Sequence, residues 1–343
     1  AAWIEAVKTK KVKNRSMGGL HLRMILSKLR TTLLAFALLA AATVWGCQVP
    51  VFRYALERWE PGRYLVKAPA EVSMDALINA EVQVTPGIDS LQLHYPRQLR
   101  QASAQPIWTA PMNAENLRLM LDSPMRQTLK QRLLSGQSAV WLLIESGDVA
   151  KDNAAAAVME AGLQAAQEKL KLPDGVITQD EARDPKKLHE NADILQSDLP
   201  LKIEFSTLRL SRQNQQEAAL IAMLMHIEPD LVDYVKEPMV FPIFGRGRAL
   251  EPIIGKGLHA NNIHEAAAYL CGACSCEIKE QNPGIDLLMS ADWGGVGTDE
   301  VLPATVEIQA KPEGPGASPN RWMMAAALFL LAMAGLLWRR KKA

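Results

Sequence analysis

Catalytic signatures are what this sequence lacks. Its 343 residues contain no Gly-x-Ser-x-Gly elbow, Walker loop, His-Glu-x-x-His helix or dinucleotide fingerprint. Motif support is therefore absent for a serine hydrolase, a P-loop NTPase, a zinc protease or a nucleotide-dependent dehydrogenase, and no cofactor is implied. Positive charge is short as well, away from the ends. Of the 38 Lys and Arg, 8 lie in residues 1–47 and 5 in 321–343, whereas Glu5 is the sole acid of the 37 outside 48–320. The central region thus holds 25 cations against 36 acids, close to −11. Nucleic-acid phosphates need a cationic surface, so no nucleic-acid partner is expected.

The two ends carry the apolar runs. Residues 322–338, from Trp322 to Trp338, contain no charged group. As a helix this run is about 25 Å long, near the lower limit for a bilayer core. Trp322 and Trp338 stand where aromatic rings favour the headgroup region, and Arg339, Arg340, Lys341 and Lys342 follow at once. The expectation is a transmembrane helix and basic cytoplasmic tail over 321–343, with the main region on the outer side. At the other end Leu33–Trp45 is apolar for only 13 residues and is preceded by Lys28 and Arg30. That is the shape of a signal segment, here 24–47 with Met24 as the start and 1–23 as an upstream extension. Val44-Trp45-Gly46-Cys47 resembles a lipobox, with Trp45 an awkward fit, and makes Cys47 a candidate for lipidation.

Between the ends, 48–320 is long enough to bury one full core or two small ones. Ser138–Ser146 is a continuous apolar run that reads as a buried strand, with Trp141 on one face and Val140 and Leu142 on the other. An Ala-rich helix is expected over 153–171, with Val158, Leu163, Ala166 and Leu170 on its apolar face. A strand over Leu201–Leu210 and a helix over 215–227 come next. Met239–Phe244 then turns at Gly245-Arg246-Gly247-Arg248 into Ala249–Ile254, and Pro242 inside that strand suggests an edge or a bulge. A last helix starts near Asn261-Asn262 and runs to Leu270. Residues 62–135 repeat a similar order in worn form: strands at Tyr64–Ala68, Glu81–Thr85, Leu91–Tyr95 and Pro106–Thr109, a truncated helix over Ser73–Asn79, and a closing helix Leu117–Leu134 broken at Pro124. Residues 291–320 read as a linker and stalk, Pro- and Gly-rich over 311–319.

The order strand, helix, strand, helix, strand, strand, helix over 136–290 resembles the thioredoxin fold, including Pro238 just before the hairpin, a place where that family usually has a cis proline. The resemblance implies an α/β thioredoxin-like sandwich, with 48–135 as a degenerate second copy in tandem. The run Cys47–Trp59, Ser138–Trp141 and Cys274-Ser275-Cys276 also resemble planctomycete-type envelope proteins, which implies location and architecture and supplies no activity.

A thioredoxin enzyme needs a nucleophilic Cys at the start of its first helix, where backbone N–H groups and the helix dipole stabilise a thiolate. Glu145–Asp152 holds that place here without a cysteine. The remaining thiols cluster as Cys271-Gly272-Ala273-Cys274-Ser275-Cys276. Three readings stay open for them. One is a structural disulfide within the cluster or to Cys47, with Cys271 as a structural thiol. Another is a labile redox pair, Cys274 and Cys276. The third is a metal site made by His264, Cys271, Cys274 and Cys276. Gly245–Arg248 is a weak anion-site candidate that a hairpin turn also explains. Together these features lead to the expectation of a non-catalytic, membrane-tethered binding or scaffold protein with a protein partner in the envelope. Its rival is an envelope thiol-disulfide oxidoreductase.

Overall fold

The computed structural model describes residues 47–74, 78–96, 105–188 and 192–293, together with the backbone of 307–308. The signal segment before Cys47, the 322–338 span and Arg339 and Arg340 lie outside the described residues. Among those described, no helix is long and apolar enough to cross a membrane.

The chain is a mixed α/β structure built on two main sheets. After helix α1 (Val51–Glu57) come β1 (Tyr64–Ala68), β2 (Val72–Ser73), β3 (Ala80–Val84), β4 (Ser90–His94) and β5 (Trp108–Pro111). Helices α2 (Ala114–Leu121) and α3 (Pro124–Leu134) follow. The expected closing helix is indeed broken at Pro124, because the preceding Asp122 and Ser123 are extended and the proline opens α3. The expected short helix at 73–79 is corrected at its described ends: Ser73 belongs to β2, and Ile78 bridges to Ser290. β1, β3, β4 and β5 form a sheet in the order β3-β1-β4-β5.

The second half begins with β6 (Ala139–Ile144) and α4 (Val149–Lys169), then β7 (Val176–Ile177), α5 (Gln179–Ala182), β8 (Asp193–Ile194) and β9 (Phe205–Leu210). Helix α6 (Ala218–Met225) leads through a 3-10 helix (Pro229–Tyr234) into β10 (Met239–Phe244), β11 (Arg248–Ala249) and β12 (Ile253–Ile254). Helices α7 (Ala260–Cys271) and α8 (Cys276–Gln281) and strand β13 (Ile285–Asp286) complete it. The strand β14 (Glu307–Ile308) pairs antiparallel with β2. The larger sheet runs β13-β11-β10-β6-β9, with β12 also on β10.

The two sheets share one connectivity. In each, the first strand lies parallel to the second (β1 to β3, β6 to β9) and antiparallel to the third (β4, β10), which pairs antiparallel with the fourth (β5, β11). The difference lies in the connection between first and second strands. A 21-residue helix, α4, stands there in the larger sheet, and no described helix does in the smaller.

β6 explains why its sequence is apolar throughout, since both of its faces are covered. Val140, Leu142 and Ile144 enter a core shared with the first sheet, α2, α3 and α6. Ala139, Trp141 and Leu143 enter a second core beneath α1, α4 and α7. The expected alternation of Trp141 against Val140 and Leu142 is thus met. Pro242 sits opposite Trp141 in a strand flanked on both sides. From Val240↔Ile253 to Ile243↔Ala249, β10 advances three residues while its partner chain takes four, which is a bulge. The Pro242 carbonyl faces that bulge, accepting from Leu250 N at 3.0 Å, so the nitrogen without a hydrogen faces it too. Among the described residues no peptide bond is cis.

Three further boundaries move. α4 starts at Val149 rather than at 153, since Asp148 caps it, and Val158 is exposed while Met159 is buried. An Ala-rich helix has too few large residues to mark its inner face. β9 starts at Phe205 rather than Leu201. α7 is capped by His259, whose Nδ1 accepts from Asn262 N, rather than by the asparagines.

Candidate binding cleft

The ends of β6 and β9, the start of β10 and the end of β12 lie at one edge of the larger sheet, because Ile144 pairs with both Leu210 and Met239, and Met239 with Ile254. The carboxyl ends of parallel strands are where open α/β sheets leave a crevice. Here the loop after β6 is closed by carboxylates. Asp148 accepts from Ala150 N at 3.0 Å and Lys151 N at 3.2 Å. Asp152 is buried and accepts from Ser146 N at 2.7 Å, Ser146 Oγ at 2.8 Å and Gly147 N at 3.0 Å. The amides that would hold a thiolate in a redox enzyme are spent on these two aspartates. Lys151 ties the first turn of α4 to the segment before β10, donating to Glu237 Oε1 at 2.6 Å and to the Lys236 carbonyl at 3.2 Å.

Beside this tie lies a cleft of about 1070 Å³. Its floor is apolar, from half-buried Pro252, Ile253, Ile254 and Ala266, and Asp230, Asp233 and Glu265 stand exposed at its rim. One wall is the 3-10 helix with its continuation to Glu237. At three residues per turn such a helix presents three faces. Leu231 goes into the core; Asp230, Asp233 and Lys236 line the cleft, joined by the exposed Tyr234; Val232 and Val235 stay exposed. Val149 (72 % exposed), Val232 (57 %), Tyr234 and Val235 make this neighbourhood rich in exposed large apolar side chains. On the opposite wall Gly255 has φ +46°, and a Cβ there would meet the Glu237 side chain at 3.1 Å. Its N–H donates to the Pro238 carbonyl at 2.9 Å. The close approach of these two loops accounts for the glycine.

The thiols lie elsewhere, Cys271 and Cys274 in the second core. Cys271 ends α7 and is 1 % exposed; burial pushes its thiol up to about 12. Cys274 is buried, its N–H bonded to the Val49 carbonyl at 2.9 Å. Cys276 is exposed at the first position of α8, whose cap is Ser275. Neither Cys271 nor Cys276 is in a disulfide, and Cys47 is a half-buried thiol. His264 is half-buried on α7, and among the described residues no three His, Cys, Asp or Glu side chains converge as a metal-binding set, so His264, Cys271, Cys274 and Cys276 form none. The hairpin at Gly245–Arg248 is no anion site. Arg248 makes a two-pronged bond to Asp286, at 2.8 and 2.6 Å, with its guanidinium 4.9 Å over Trp59, and Arg246 Nε donates to the Leu56 carbonyl.

Sequence reasoning did not bring the cleft residues together as a site. Their one local signal is the spacing of Asp230, Asp233 and Lys236 in alternation with Val232 and Val235, a period of three that passes for an ordinary loop. No protein-family model, curated protein or solved structure matches this chain.

Proposed function

We propose that the chain is a non-catalytic, membrane-tethered binding protein of the cell envelope, whose outer region consists of two thioredoxin-like units and holds a polypeptide partner in the cleft beside β6. The observation that carries this is the start of α4. The place a nucleophilic cysteine would occupy is filled by the Ser146–Asp152 turn, with both aspartates committed to its own backbone. The matching strand order of the two sheets supports the thioredoxin-like tandem. The tether rests on the charge pattern of the sequence: an acidic 48–320 and a basic run after Trp338.

The test is fractionation followed by co-purification of the full chain with a C-terminal tag. The protein is expected in the membrane fraction. Protease added to spheroplasts should remove 48–320 and spare the tag, and a partner should co-purify. Protection of the main region from protease would refute the topology. Thiol–disulfide exchange is the rival, favoured by the exposure of Cys276. Turnover of a disulfide test peptide that disappears in Cys276→Ala would replace the binding role with an enzymatic one.

A further inference from the structure

A second cleft, of about 610 Å³, is lined by Glu228, Glu251, Glu277 and Glu280 and by no lysine or arginine. The two are lined by neighbouring residues of the same two segments: Glu228 the acidic one and Asp230 the apolar one, Glu251 the acidic one and Pro252 the apolar one. Glu277 and Glu280 are three apart on α8 and so project to one side of it. In the apolar cleft Lys151 neutralises Glu237, which leaves Asp230, Asp233 and Glu265 against Lys236 and Lys256. The two clefts therefore adjoin at these segments, one with an apolar floor and the other lined by carboxylates.

We infer that the two adjoining clefts together take a cationic polypeptide segment of a partner protein. Its apolar side chains rest on Pro252, Ile253, Ile254 and Ala266, and its Lys or Arg side chains face Glu228, Glu251, Glu277 and Glu280. An apolar floor supplies affinity without sequence sense, whereas four like charges lining one cleft select the partner's sign and speed its approach. The inference rests on the binding role proposed above and adds the chemistry of the partner.

The experiment uses the full-length chain in detergent micelles and three labelled peptides that share the same apolar residues. Two neighbouring positions carry lysine, alanine or aspartate. The lysine peptide is expected to bind about tenfold more tightly than the alanine one and the aspartate peptide more weakly still, a gap that narrows with added salt. The double variant Glu277→Lys, Glu280→Lys changes exposed or half-exposed positions and should reverse the order of the lysine and aspartate peptides. Equal binding of the three peptides would overturn the charge assignment and leave the binding role standing. Binding of none of them, with an unaltered circular dichroism spectrum, would overturn both.

Discussion

At the scale of single residues, burial decides which titratable groups respond to their surroundings. Cys271 and Cys276 are five residues apart, yet one lies in the core and the other in solvent. With its thiol pushed up to about 12, Cys271 stays protonated at working pH and is shielded as well. Iodoacetamide at pH 8 should therefore alkylate Cys276 in the native protein and Cys271 only after unfolding, as peptide mass mapping would show. Cys271→Ala should lower stability by about 1–2 kcal/mol through the small void it leaves. His94 behaves differently. It is 5 % exposed on β4, and its Nε2 has no hydrogen-bond partner. Burial first, and the Lys67 ammonium second, hold its pKa below the ordinary 6.5, against the opposing effect of a hydrogen bond to the Gln105 backbone. The fold prefers the neutral ring, while the unfolded chain takes up the proton at higher pH. The stability this group contributes is then complete above about pH 6.5 and is lost as pH falls through the lowered native value. Melting temperatures from pH 8 to pH 5 should fall for the wild type and fall less steeply for His94→Asn; parallel curves would show that other groups set the acid limb.

At the scale of elements, the junction between α2 and α3 shows how polar bonds replace missing helix bonds. The last carbonyls of a helix have no partners within it. Arg126, fully buried, donates Nη1 to the Met120 carbonyl at 2.9 Å and the Leu121 carbonyl at 3.2 Å, and reaches the Leu119 carbonyl through Nη2. The same Nη1 bonds the Leu288 carbonyl at 2.9 Å, while Nε meets Ser123 Oγ, which is itself bonded to Glu217. Arg126→Met would keep much of the side-chain volume and leave four carbonyls without their donor. A loss of about 3–5 kcal/mol is expected in urea unfolding. Arg126→Lys should recover only part, because an ammonium cannot reach so many acceptors. A loss under about 1 kcal/mol for Met would mean that water takes over the carbonyls.

At the scale of the whole described molecule, the segment after β13 joins the two halves. Leu287 to Ala291 are buried, and their backbone bonds go to both sides. Asn79 donates to the Leu287 carbonyl at 3.1 Å and accepts from Met289 N at 2.8 Å. Lys130 Nζ donates to the Ser290 carbonyl at 2.8 Å. Strands of both sheets contribute to the core around this segment. Unfolding in urea followed by tryptophan fluorescence and by far-ultraviolet circular dichroism should therefore give one coincident transition. Two separated transitions would mean that the halves are energetically independent despite the shared core. If the halves are coupled, a chain that stops after Asp286 loses these bonds and should melt lower and in two steps.

Sequence alone determined the burial of β6 on both faces, the hairpin at Gly245–Arg248, the break at Pro124 and the missing cysteine before α4. Each of these depends on local chemistry: continuous apolarity, positive-φ glycine, a proline without an N–H, or the identity of one residue. It also determined the acidic balance of 48–320. Only the tertiary structure decided that Met159 rather than Val158 faces inward on α4, that Cys271 and Cys276 part company, and that Arg248 is bound to Asp286. It alone assembled the cleft, because Asp230, Ile253 and Glu265 lie on three separate elements whose packing no local pattern fixes. Their juxtaposition follows from the pairing of β12 with β10 and the packing of α7 on α4, interactions between distant segments that no local pattern encodes.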